Sequence, residues 1–226
     1  MAELKLKLGQ QVRPPSEVEC IYRDWFGDIV DGMPLHDPSH LWQGHDEKSK
    51  AYFREHYTLL IQRAANHELS HWPSSPEGTL ALILLLNRLP HIAFENDETR
   101  LNYQTAAVQT CMQGLLKQQD KSLSFCERLF FYHPLFYSEQ PRHQALSMLL
   151  YSELLPVVPV KHRRYFETIL TRVKQRRDLI TRFNRDPFRN HLFARQSTED
   201  ELHYLQTNDV SEYDNLIPPE YPLCDT

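Results

Sequence analysis

Apolar residues along the chain recur at helical spacing almost from end to end. In "SEVECIYRDWFGDIV" the positions Val18, Ile21, Tyr22, Trp25, Phe26 and Ile29 form one stripe, and Ser16 with Glu19 sets a capping box that starts a first helix. From about Asp46 to Leu69 the set Tyr52, Phe53, His56, Tyr57, Leu60, Ile61, Ala64 and Ala65 repeats the pattern until "HWPSSPEG" stops it. Ser75 and Pro76 supply a cap and a first-turn proline for a third helix that runs through "LALILLL" to about Leu89. That helix is apolar on nearly every side, so it belongs at the centre, covered by its neighbours.

Further helices are predicted at about 97–117, 124–133, 139–154, 160–185 and 198–207, with breaks at Pro134, at "PVVP" and at Pro187. Period-two alternation bounded by hairpin turns is not apparent, and the chain has only 6 glycines for tight turns. The predicted fold class is all-α, with about eight helices packed as antiparallel hairpins. Residues 1–208 read as a single helical domain. Residues 209–226, rich in acid and proline, read as a tail on its surface or without order.

Composition narrows the function classes. A chain of 226 residues with 41% hydrophobic content can bury a sizeable core. Its longest apolar run, Leu80 to Leu86, is far below the roughly 20 residues that cross a bilayer, so no membrane span is expected. The start "MAELKLKLGQQ" lacks the apolar stretch of a secretory signal, which points to the cytoplasm. Cys20, Cys111, Cys126 and Cys224 are too scattered for a metal knuckle or a redox pair and read as free thiols. The net charge of −5 conceals a segregation: residues 161–195 hold 11 bases against 3 acids, and residues 196–226 hold 8 acids and no base. The acidic segment can fold back on the basic one, and no recognition motif accompanies the basic block, so no nucleic-acid partner is expected.

Two histidine-bearing stretches invite a metal reading. His67-Glu68-Leu69-Ser70-His71 matches the H-E-x-x-H pattern of zinc hydrolases, with Glu95 as a conceivable third ligand. Pro73 follows at once, however, so the helix ends where a zinc helix has to continue. The run "HDPSHLWQGHDE" gathers His36, Asp37, His40, His45, Asp46 and Glu47, but Pro38 and Gly44 place it in a loop. No metal and no cofactor are expected. A nucleophile elbow, a P-loop and a dinucleotide-binding turn are all missing from the sequence.

The densest chemistry lies in "ITRFNRDPFRNHLFARQSTEDEL". Arg182 and Arg185 close a long helix, where cations complement the helix dipole. Pro187 turns the chain, Arg189 and Asn190 follow, and Arg195 precedes a helix opened by a Thr198–Glu201 capping box. Guanidinium groups from both sides of such a corner suit a carboxylate or a phosphate.

This corner resembles the I-x-R-F-G-R-F-P-H-R-N…L-G-R-E-S-T-x-E-E signature of a bacterial family, domain of unknown function 924. "YRDWFG", "GTLALILLLNRLP" and "RLFFYHPLFYSEQ" are similar to its other conserved stretches, in the same order, over roughly residues 18–206. The resemblance implies a tetratricopeptide-like helical fold and brings no established activity. Arg182, Phe183, Arg185, Pro187, Arg189, Asn190, Arg195, Ser197, Thr198, Ser138 and Glu139 match the family's polar signature. The chain departs from it at Asn87 to Ile92 (family D-Q-F-P-R-N), at Tyr137 and Gln140 within the family's H-S-E-D, and at Phe188, which replaces a histidine. These departures remove groups that proton transfer would use.

The expected site is therefore a polar pocket between the third helix and the C-terminal corner, in which Arg182, Arg185, Arg189 and Arg195 meet Ser138 and Glu139, with Asn190 beside them, around a small anionic ligand. The alternative expectation is a tetratricopeptide-like module that binds a protein partner in a helical groove. A metal-dependent hydrolase at "HELSH" ranks below both.

Overall fold

The computed structural model describes residues 16–43, 47–94, 103–208, 216–219 and 221–222. Each of the eight expected segments carries a helix, and the protein is all-α. The first, α1 (Glu17–Phe26), opens on the Ser16–Glu19 capping box and closes at Gly27 with φ +60°. A two-stranded antiparallel hairpin then pairs β1 (Ile29–Val30) with β2 (Met33–Pro34). This corrects the expectation of no hairpin. Its turn is Asp31-Gly32, both at positive φ, which is the residue pair a tight two-residue turn demands. Gly32 is required twice over, since a Cβ there would lie 2.3 Å from the Phe125 ring.

The histidine-rich stretch is not wholly loop. Asp37 Oδ1 accepts the amide of Ser39 at 2.8 Å and starts the short α2 (Ser39–Gln43), which buries Trp42. His45, Asp46 and the proposed ligand Glu95 lie outside the described residues. Helix α3 (Glu47–Ala65) ends four residues before the expected Leu69. His67 stands beyond it at φ +61°, so His67 and His71 occupy a turn and not successive turns of one helix. Among the described residues no group of three or more His, Cys, Asp or Glu side chains is placed to hold a metal ion.

The central helix is α4 (Pro76–Leu86), capped by Ser75, with every residue from Gly78 to Leu86 buried. It packs against α1, α3, α5 (Arg88–Ala93), α6 (Gln104–Leu116) and α7 (Phe125–Phe131). Pro90 explains why the apolar run breaks at Asn87 and does not reach Leu89 as one helix: it has no N–H for the carbonyl of Leu86 and its ring crowds that carbonyl. Around α4, Trp25 and Trp42 each meet Phe130 edge to face, with the Trp42 and Phe130 centroids 4.6 Å apart.

The second half adds α8 (His133–Tyr137), α9 (Pro141–Ser152), α10 (Val160–Phe183) and α11 (Glu199–Thr207), of which α9 and α10 pack closely. Part of the C-terminal tail also joins the core. Leu216 and Ile217 are fully buried, Arg172 donates to the Ile217 carbonyl at 2.9 Å, and Tyr221 donates to that of Pro34 at 2.8 Å. Leu216, Ile217 and Pro218 are thus buried, where a tail on the surface or without order was expected. Cys20, Cys111 and Cys126 are free thiols, and Cys224 lies outside the described residues. No helix among the described residues is long and apolar enough to cross a membrane.

Candidate functional site

The C-terminal corner is built by three local devices in succession. Asn184, in the left-handed conformation, ends α10 and donates its amide to the Ile180 carbonyl at 2.8 Å. Asp186 Oδ1 accepts the amide of Phe188 at 3.0 Å, opening a single 3₁₀ turn over Pro187–Arg189. Thr198 and Glu201 then exchange side-chain and backbone bonds to start α11.

The four arginines do not converge on one acceptor, which corrects the single shared pocket. Arg185 forks onto Glu201 at 2.5 and 2.6 Å and donates to the Gln196 carbonyl. Arg195 forks onto Glu139 at 2.7 and 2.9 Å. Arg189 donates to the Tyr137 carbonyl at 2.9 Å and to Gln104 Oε1 at 2.8 Å. Arg182 is exposed and lies over the rings of Phe183 and Tyr204. Asn190 donates to Ser197 Oγ and Glu201 Oε2, and with Arg195 it lines a separate surface cleft of about 650 Å³. The fork on Glu201, aided by the Thr198 amide and Asn190, pulls its carboxyl down to about 2. Burial opposes ionisation of Glu139, but the Arg195 fork and the Asp186 amide outweigh it and hold this carboxyl below its usual range.

Beneath these pairs lies another, between α10 and the turn that follows it. Arg176, 1% exposed, sets Nη1 2.6 Å from Oδ2 of Asp186, which is 0% exposed, an ion-pair distance reached without hydrogen-bond angles. Its guanidinium also lies 5.5 Å from the Phe136 ring centroid. The signal was available: Ile169, Val173, Arg176 and Ile180 follow one helical stripe, so an arginine occupies an apolar position.

The ligand-sized space lies beside the corner. A cleft of about 690 Å³ opens between α6 and the start of α9. Of the expected residues it takes Ser138, Glu139 and Arg189, and it adds Gln104, Arg142 and His143. Gln144, fully buried, donates to the carbonyls of Leu135, Phe136 and Ser138, which ends α8 and fixes the chain that carries Ser138. Ser138 Oγ accepts the Gln140 amide at 3.3 Å and lies 2.8 Å from Nδ1 of His143. Burial and the neighbouring Arg142 charge push His143 below the ordinary histidine range. Nothing in the spacing of Ser138 and His143 announces their contact, because it depends on how the chain turns between α8 and α9.

An all-helical chain with a polar cleft set against an arginine–carboxylate corner is what these elements define. Its sequence matches, over residues 21–209, the profile of a family described as "Bacterial protein of unknown function (DUF924)", and the protein belongs to that family. A solved protein of unknown function from Agrobacterium tumefaciens shares the fold, with a TM-score of 0.68 at 24% identity over 84% of this chain and 97% of that one. Among curated proteins none matches.

Proposed function

We propose that the protein binds a small anionic ligand, a carboxylate or a phosphate ester with an apolar body, in the cleft of about 690 Å³ between α6 and α9. The observation that carries this reading is the make-up of the cleft wall. Val108, Met112, Leu146 and Phe193 offer apolar surface, while Arg142, Arg189 and His143 offer donors. Arg142 is exposed and donates Nε to Gln140 Oε1 at 2.8 Å; its terminal nitrogens have no hydrogen-bond acceptor among the described residues. Such a fork suits a carboxylate or a phosphate. Glu139 lines the same wall without repelling an anion, since Arg195 neutralises it through two bonds.

The reading keeps Arg189, Ser138 and Glu139 from the expected set, and assigns Arg182, Arg185, Asn190 and Arg195 to holding the corner. It depends neither on a tetratricopeptide-like relationship nor on a cytoplasmic location, both inferred from sequence alone. Thermal-shift measurements with inorganic phosphate, nucleotides and short carboxylates test it. A ligand present at about 100 times its Kd stabilises by about 2.7 kcal/mol, which raises Tm by roughly 5–10 °C in a domain of this size. The shift is expected to shrink in Arg142→Gln. A stable protein that no anion shifts at millimolar concentration overturns the proposal.

A further inference from the structure

We infer that Ser138 and His143 form a nucleophile–base pair on the cleft wall, placed to take an acyl group from an ester that carries a separate carboxylate or phosphate, which the cleft binds. The inference rests on the cleft reading and gives its ligand a reaction. Its geometric basis is the 2.8 Å separation of Ser138 Oγ and His143 Nδ1, with both residues lining one cavity of ligand size.

The alternative role for Ser138 is a local turn, in which Oγ accepts the Gln140 amide at 3.3 Å. That bond uses a lone pair and leaves the hydroxyl proton free, and Nδ1 of His143 is the acceptor within reach. For His143 to accept at Nδ1 it has to be neutral with its proton on Nε2. The buried setting and the Arg142 charge favour that neutral form at pH 7. Gln144 fixes the Ser138 carbonyl and α9 fixes His143, so the two side chains hang from an ordered frame. Among the described residues no carboxylate bonds Nε2 of His143, so the arrangement is a dyad, and a slow reaction is expected relative to a full triad.

The step balances without any outside oxidant or reductant. The Ser138 hydroxyl proton passes to His143 Nδ1 as the Oγ–C bond forms. The ester C–O bond then breaks, and the leaving alcohol takes the proton from His143. Water, deprotonated by the same imidazole, adds to the acyl-serine and releases the acid, restoring the hydroxyl. The Arg142 amide, in the first turn of α9 and without a main-chain acceptor among the described residues, is the donor this step assigns to the oxyanion.

The test uses the whole chain and an alkyl fluorophosphonate, which bonds phosphorus to an activated serine Oγ as fluoride leaves and the proton goes to the base. Intact-mass and peptide mapping are expected to place one adduct on Ser138. Labelling is expected to vanish in Ser138→Ala and to slow about tenfold or more in His143→Gln, the range that loss of a general base brings. Failure to label Ser138 on folded protein overturns the inference. So does labelling whose rate is unchanged in His143→Gln, and both readouts stand even where Ser138→Ala folds poorly. The two proposals fail separately: an anion-induced Tm shift without labelling removes the nucleophile and keeps the ligand cleft, and labelling without any anion shift removes the anion site.

Discussion

Asp24 near the N-terminus and the carboxylates of the C-terminal corner are all at least partly buried, yet different sets of donors hold them. Asp24 Oδ2 accepts two neutral hydroxyls, from Tyr52 and Tyr57, each at 2.7 Å, and Oδ1 takes an exposed Arg23. Those bonds tie α1 to α3. Burial resists its ionisation, but the tyrosine and arginine bonds prevail and keep the carboxyl below its ordinary range. In the corner, Glu139, Asp186 and Glu201 each face a guanidinium of their own. The first carboxylate divides its bonds between two neutral hydroxyls and one exposed guanidinium, while each carboxylate of the second cluster is matched to a guanidinium that is itself at least partly buried. A dense run of arginines is therefore a poor sign of an anion site when the fold supplies as many carboxylates. Arg142, whose terminal nitrogens have no hydrogen-bond acceptor among the described residues, stands outside that run.

The widest gap between the two clusters is expected where the pair is most deeply buried. Removing Asp186 strands the Arg176 charge among Phe136 and Tyr137, and breaking a buried ion pair from one side costs about 3–5 kcal/mol. Asp186→Ala is expected to lose stability of that order in urea unfolding, and Arg176→Met in the same chain is expected to recover most of it. A cost below about 1 kcal/mol for the single change would mean that water or another group already compensates Arg176.

How much of this the sequence disclosed follows the same division. The helices, the all-round burial of α4 and the capping boxes at Ser16 and Thr198 depend on neighbours three or four residues apart, and local patterns record them. The Asp31-Gly32 hairpin was also written locally, as a D-G pair, but only two residues flank it on each side and no alternation had room to develop. The partners of the arginines were not legible. Arg195 reaches Glu139 across 56 positions and Arg189 reaches Gln104 across 85, and no periodicity encodes such a meeting. The burial of Leu216 and Ile217 was hidden by the acids and prolines around them, whose average said tail while two apolar residues found the core.

At the hydroxyl-held cluster the expected effect is smaller. Tyr57 is buried and its bond to Asp24 is to a charged acceptor, a class worth about 1.5–3 kcal/mol. Tyr57→Phe is expected to fall in that range and Tyr52→Phe well below it, because Tyr52 is partly exposed and water replaces its hydroxyl. Equal losses in chemical unfolding would show that Asp24 relies on the two hydroxyls alike, and would erase the distinction drawn between the inner and outer donor.

The smallest effect, and the one that separates the clusters by pH, is at the start of α11. Thr198→Ala removes one half of a capping box and is expected to cost about 1 kcal/mol at neutral pH. Its partner Glu201 has a folded carboxyl near 2 against an ordinary 4.5, so the charged form is the stabilised one. That contribution is fully present above 4.5 and is lost as pH falls from 4.5 toward 2. His133 and His162 are depressed by burial, so the stability that rests on their neutral forms fades earlier, below the ordinary 6.5. The stability difference between the native chain and Glu201→Gln is thus expected to be flat from pH 8 to about 5, while both chains lose stability together through the histidines. Below that it is expected to narrow as Glu201 takes its proton. A difference that already narrows at pH 6 would place the lost interaction on a histidine and remove the Arg185–Glu201 fork as the element holding α11.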